Sequence, residues 1–145
     1  MNNVVRSRSP ETAGDLLITT PVVYVVDDNT DVLGSLRFLL ETDGFQVRTF
    51  RSGEALLNTT TIGLADCFVI DYKMPSMTGI DLAAALRSRE ITTPIILITG
   101  FPDKTIPAKA TGAGIGRVLL KPLVEESLVA CVREAIERDR PPAGR

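Results

Sequence analysis

The run Cys67-Phe68-Val69-Ile70-Asp71, followed by Tyr72-Lys73-Met74-Pro75-Ser76-Met77-Thr78-Gly79, decides the fold of this 145-residue chain. Apolar, strand-forming residues end abruptly on a carboxylate, and the proline and glycine that follow punctuate loops rather than strands. Asp71 is thereby delivered to a strand end, exposed to ligand but backed by a rigid sheet, as a nucleophile or metal ligand needs to be. Most aspartates at strand ends only terminate the strand or cap the next helix. Its meaning therefore depends on what the other strands bring beside it.

Upstream, Val22-Val-Tyr-Val-Val26 is a short continuous apolar run, the pattern of a strand buried on both faces, and it ends on Asp27-Asp28. Thr30 or Asp31 is expected to cap a helix to about Thr42, with Leu33, Leu36, Leu39 and Leu40 at helical spacing and Gly44 as its stop. Phe45 to Phe50 alternates apolar and polar residues, which predicts a half-exposed edge strand, and Ser52 caps a short helix holding Ala55, Leu56 and Leu57. Downstream of Gly79 a helix is expected from Ile80 to about Arg89, then a buried strand over 94–99 that ends on Thr99 and Gly100. Pro102, Pro107, Gly112, Gly114 and Gly116 leave room for only a short, marginal helix near 106–111. A fifth strand over 117–120 runs into Lys121-Pro122, and a last helix over about 125–138 places Leu128, Val132, Ala135 and Ile136 on one face.

Five strands alternating with helices predict an α/β fold with right-handed crossovers: a flavodoxin-like (βα)5 doubly wound parallel sheet of strand order 2-1-3-4-5. The domain reading is a flexible N-terminal arm over 1–20, one domain over 21–138 and a C-terminal tail over 139–145. No internal repeat or second composition regime marks a fused output domain.

Composition removes several function classes. A net charge of -2 gives no broad cationic footprint for nucleic acid or an anionic membrane, so no direct DNA binding and no membrane association are expected. The absence of histidine excludes triads with a histidine base, the usual zinc sites and a phosphohistidine carrier. Cys67 and Cys131 sit in apolar runs without a CxxC partner and read as buried, reduced thiols. No segment approaches the roughly 20 apolar residues that span a bilayer, and residues 1–20 lack the apolar core of a signal peptide. A cytoplasmic location is the expectation.

In the order 2-1-3-4-5 the first, third, fourth and fifth strands are consecutive neighbours, and all carboxyl ends of a parallel sheet share one edge. Asp27, Asp28, Asp71, Thr99 and Lys121 should therefore converge. Three carboxylates packed together repel one another unless a cation sits among them, and an all-oxygen ligand set suits a hard ion, Mg2+ rather than Ca2+. With Lys121 facing it and Thr99 offering a hydroxyl, a dianion has a place between them, which is the equipment for phosphoryl transfer onto Asp71. Each residue alone has an ordinary structural role; the set at consecutive strand ends does not.

Asp27-Asp28, Asp71 with Pro75 and Gly79, Thr99, and Lys121-Pro122 together resemble the receiver domain of bacterial two-component response regulators, over about residues 21–138. The resemblance implies that Asp71 is the phosphoacceptor, charged by a sensor histidine kinase or a histidine phosphotransfer protein. It implies that Asp28, Asp71 and the backbone carbonyl of Lys73 bind Mg2+ directly, that Asp27 assists through water, and that Thr99 and Lys121 hold the phosphoryl group. It also implies a cis Lys121-Pro122 bond, slow hydrolysis of the chain's own phosphate without enzyme turnover, a downstream protein target, and a homodimer through the 102–138 face as one expected assembly. Lys73 and Phe101, near the pocket mouth, are expected to set the phosphate lifetime.

The chain departs from the family pattern at Val118, three residues before Lys121, where receivers usually carry an aromatic that turns with the threonine. Together with the Pro- and Gly-rich fourth helix, this points to the segment over 103–117 as the part that responds. Two other readings use the same residues. A receiver-like binding module would act without phosphorylation. A haloacid-dehalogenase-like phosphatase would also form an aspartyl phosphate with Mg2+, but wants a second acid two residues after the nucleophile, where this chain has Lys73.

Overall fold

The computed structural model describes residues 20–100, 103–123 and 125–139. In chain order the elements are β1 (Val22–Val26), α1 (Thr30–Thr42), β2 (Gln46–Phe50), α2 (Gly53–Leu57), a 3-10 turn (Ile62–Leu64), β3 (Cys67–Asp71), α3 (Gly79–Ser88), β4 (Ile95–Thr99), α4 (Ile106–Gly112), β5 (Arg117–Leu120) and α5 (Glu125–Asp139). The five strands form one parallel sheet in the order β2-β1-β3-β4-β5, the expected doubly wound arrangement. The expected arm and tail lie, but for Thr20 and Asp139, outside the described residues.

Strand periodicity divides the core into two layers, because successive side chains point to opposite faces. Tyr24, Val26, Phe68, Ile70, Ile95 and Leu97 pack on one face against Leu56 of α2, Leu82 and Leu86 of α3, and Ile106 of α4. Val23, Val25, Val69, Ile96 and Ile98 pack on the other against Leu33, Leu36 and Leu40 of α1 and Leu128, Val132 and Ile136 of α5. Central strands covered on both sides need the continuous apolar runs seen in β1, β3 and β4. At the edge, β2 alternates exposed and buried residues, as its sequence predicts, although it begins at Gln46 rather than Phe45.

The start of α1 is a correction. Its N-cap is Asn29, not Thr30 or Asp31: Asn29 has an extended backbone, and its Oδ1 accepts from the amides of Asp31 (2.9 Å) and Val32 (3.1 Å). Asn29, Thr30 and Asp31 are all capping residues, and the point where the chain leaves β1 selects among them. Ser52 caps α2 as expected, its Oγ accepting from the Ala55 amide at 3.0 Å. Thr78 and Asp81 close a reciprocal capping box on α3, so that helix begins at Gly79, one residue before the sequence expectation. The helix α4 is only seven residues long, with Pro107 in its first turn and no side-chain capping hydrogen bond from Thr105. Both cysteines are buried free thiols.

Candidate functional site: an acidic pocket at the carboxyl edge of the sheet

Register brings the acids together. Val26 of β1 pairs with Ile70 of β3, so Asp27 and Asp71, the next residues along, leave the sheet side by side. Asp71 in turn pairs with Ile98 of β4, which puts Thr99 one step beyond it, and the Lys121 amide donates to the Thr99 carbonyl at 2.9 Å. Asp27, Asp28, Asp71, Thr99 and Lys121 therefore stand at one edge, as the sequence predicts. The bond between Lys121 and Pro122 is cis.

One carboxylate oxygen each from Asp27, Asp28 and Asp71 lie within 4.8 Å of one another. Asp27 and Asp71 are buried while Asp28 is exposed, so the trio forms a pocket with two fixed walls and one open side. The ammonium of Lys121 lies 2.9 Å from Asp71 Oδ1. Burial pushes the Asp27 carboxyl above its ordinary range, an effect opposed by the Asn29 amide, which donates to Asp27 Oδ1 at 2.9 Å, and reinforced by the neighbouring Asp71. Asn29 thus serves twice, capping α1 with its side chain and steering Asp27 with its backbone. Sequence reasoning missed this, although an Asn directly after two acids was the available signal.

The donor chemistry fits a divalent cation. Three carboxylates and no sulfur or imidazole ligand match a hard ion held by oxygen, and a positive charge among them offsets the repulsion that a closely packed acid trio suffers. Lys73, whose carbonyl is expected to bind the ion directly beside Asp28 and Asp71, is an exposed residue of the loop after β3. Phe101 falls outside the described residues.

The loop after β3 is held tightly. The Tyr72 amide donates to the Ile98 carbonyl and the Gly79 amide donates back to the Tyr72 carbonyl, both at 2.8 Å. A Cβ on Gly79 would come 2.5 Å from the Asp71 carbonyl oxygen and 2.6 Å from Leu97 Cδ1, so only glycine lets α3 start this close to the strand that carries Asp71. Ser76 takes a left-handed backbone with φ 74° at the tip of the loop. Thr99, also buried, faces a second feature: a groove of about 300 Å³ between α4 and β5, lined by Thr99, Ile106, Pro107, Val118 and Leu120 among others. Val118 is only partly buried beside it.

With this geometry in view, the family profile described as response regulator receiver domain matches residues 23–133. The chain belongs to the response regulator receiver family. This receiver is 34% identical over 116 residues to the response regulator protein TodT of Pseudomonas putida, covering 80% of this chain and 51% of that protein. It is 32% identical over 121 residues to the transcriptional regulatory protein FixJ of Bradyrhizobium diazoefficiens, covering 83% of this chain and 59% of FixJ. The receiver thus spans only a little over half the length of these curated relatives. Among solved structures, the signal receiver domain of an HD domain-containing protein from Pseudomonas fluorescens Pf-5 superposes with a TM-score of 0.77 at 29% identity, covering 83% of this chain and 97% of that one. A receiver domain from Clostridium thermocellum gives 0.76 at 28% identity, covering 81% and 95%. No described helix of this receiver is long and apolar enough to cross a membrane.

Proposed function

We propose that this receiver accepts a phosphoryl group on Asp71 from the histidine of a partner kinase or histidine phosphotransfer protein, with Mg2+ bound by Asp28, Asp71 and the Lys73 carbonyl. The observation that carries the reading is the placement of Asp71 between the acid pair Asp27-Asp28 and the Lys121 ammonium, 2.9 Å from its Oδ1. An oxygen of Asp71 forms the new P–O bond while the P–N bond of the phosphohistidine breaks, and the imidazole leaves with the electron pair and is reprotonated by solvent. When bound, the cation neutralises charge on the phosphoryl oxygens. Lys121 exchanges its contact with the Asp71 carboxylate for one with a phosphoryl oxygen, so positive charge is kept where negative charge arrives. Asp27, buried and steered by the Asn29 amide, would help to hold a bound cation through water, and the Thr99 hydroxyl donates to the phosphoryl group. Among the neighbouring structures, the one titled as the BeF3-activated DrrB receiver domain, at 28% identity and a TM-score of 0.74, supports this chemistry by likeness.

In this reading the group added at Asp71 brings about -1.5 to -2 charge to the pocket, and the response runs through Thr99 into α4 and β5. The receiver signals in the cytoplasm by contact with another protein, and hydrolyses its own phosphate slowly at a rate that Lys73 and Phe101 modulate. The composition, with a net charge of -2, supports a protein target over DNA. A homodimer through the 102–138 face is compatible with the half-exposed strand β5.

Intact-mass analysis after incubation with acetyl phosphate tests the reading. The expected result is a Mg2+-dependent gain of one phosphoryl group that Asp71→Asn abolishes. If a beryllofluoride titration also leaves the protein unchanged, the unphosphorylated binding module replaces this reading.

A further inference from the structure

The loop that carries Lys73, between Asp71 and α3, reverses its path across a single residue. The Met77 amide donates to the Pro75 carbonyl at 2.8 Å, spanning Ser76 with its φ of 74°. A three-residue turn of that hand is the rare and strained form of the γ-turn, and it persists only where the surroundings hold it. Tyr72 and Gly79 fix the two ends of the loop through backbone hydrogen bonds, but Pro75 and Ser76 stand exposed at its tip. Side chains on either side of Ser76 supply the remaining anchorage: Met74 is buried in the core layer beneath α2 and α3, and Met77 packs against that layer from its edge.

Met77 is seated on a glycine. A Cβ at Gly53, the buried first residue of α2, would lie 2.5 Å from Met77 Sδ and 2.9 Å from Met77 Cγ, so the thioether rests on bare backbone. Gly53 has no left-handed backbone, and a helix position is one where alanine is ordinarily the better residue. What glycine provides there is room for Met77.

We propose that Met77 is a positioning residue for the cation: lodged on Gly53, its side chain holds the strained turn and thereby fixes the Lys73 carbonyl relative to Asp28 and Asp71. The inference rests on the proposed function for the identity of those ligands. It adds that the junction of β2 and α2 tunes the site without touching it. The Lys73 carbonyl belongs to the peptide leading into Met74, just before the turn. A short loop pinned at Tyr72 and Gly79 can release its strain only by rotating the peptides between them, this one included.

Magnesium chloride titrations of the unphosphorylated full chain, followed by NMR through the amides of Asp28, Tyr72 and Lys73, test the inference beside urea unfolding. Gly53→Ala places a methyl group where Met77 Sδ lies; the flexible thioether yields, so stability should stay near that of the wild type while Mg2+ binding weakens about tenfold, as for other partners that orient metal ligands. Met77→Ala should weaken Mg2+ to the same extent, and Met77→Leu, close in volume, should restore it. Adding Gly53→Ala to Met77→Ala should cost nothing further, because the space is then empty. The inference is overturned if either alanine variant binds Mg2+ within about twofold of the wild type, or if the two losses add in the double variant. A wild type whose amides ignore Mg2+ would instead overturn the proposed ligand set, and this inference with it.

Discussion

The two sides of Thr99 are built to different standards. Toward β3, every residue of Cys67–Asp71 and of Ile95–Thr99 is buried, the loop after Asp71 is closed by two 2.8 Å backbone hydrogen bonds, and α3 starts in contact with the strand. Toward β5, the strand Arg117–Leu120 has no fully buried residue, α4 is seven residues long, and a groove of about 300 Å³ lies between them. Close packing resists small displacements, whereas a segment with few buried contacts opens at low free-energy cost. In the proposed function, the first side holds atoms where phosphoryl transfer needs them and the second is free to rearrange when the Thr99 hydroxyl is drawn toward a new anion.

Glycine gives the sharpest way to break that contrast. At Gly79 a methyl group would press on the Asp71 carbonyl oxygen at 2.5 Å, and neither strand β3 nor Leu97 behind it can yield. Gly79→Ala should therefore lower stability by roughly 3 kcal/mol, at the upper end of overpacking effects, and reduce phosphorylation of the folded fraction by moving Asp71. Urea unfolding measures the first effect and intact mass the second. A loss below about 1 kcal/mol would mean that the Asp71 side is far more pliant than its packing implies.

A buried thiol probes the same side through pH. Burial, then the nearby Asp66, pushes the Cys67 thiol up to about 12 from 9.0. In the unfolded chain the thiol ionises near pH 9, while in the fold it stays neutral until about pH 12, so the stabilising contribution is complete below pH 9 and disappears as pH rises through that window. Wild-type stability should fall by up to about 1.4 kcal/mol per pH unit more steeply than that of Cys67→Ala between pH 9 and 11. Parallel pH profiles would show that water reaches the amino end of β3.

How much of this was legible in the sequence follows from the same contrast. The runs over 22–26, 67–71 and 95–99 could be read because strands covered on both faces tolerate only apolar residues, and their polar last residues then stood out as the site. The cap of α1 was misplaced by one or two residues because Asn29, Thr30 and Asp31 are all capping residues and none stands out until the path out of β1 is known. The role of Gly79 was visible as loop punctuation but not as close approach, since the 2.5 Å distance to Asp71 depends on how α3 lies against the sheet. Around Val118 the sequence announced a smaller side chain, and the groove beside it could be located only once α4 and β5 were placed together.

The smallest expected effect tests the lightly packed side directly. Gly112 is the last residue of α4, is exposed, has no left-handed backbone, and would meet nothing within 4 Å if it carried a Cβ. The substitution that harms Gly79 should therefore help here: Gly112→Ala removes backbone freedom from the unfolded helix and should stabilise it by about 0.5–1 kcal/mol. Because α4 is short and the Thr105 side chain makes no capping hydrogen bond to its amides, that gain acts on local opening, and hydrogen exchange of the α4 amides should slow by about two- to fivefold. Beryllofluoride, standing in for the phosphoryl group, should change protection across 103–117 in the wild type and by a smaller factor in Gly112→Ala, because the variant already populates the ordered helix more fully. If protection across that segment is the same with and without the mimic, α4 is a passive cover and the signal leaves the pocket by another route.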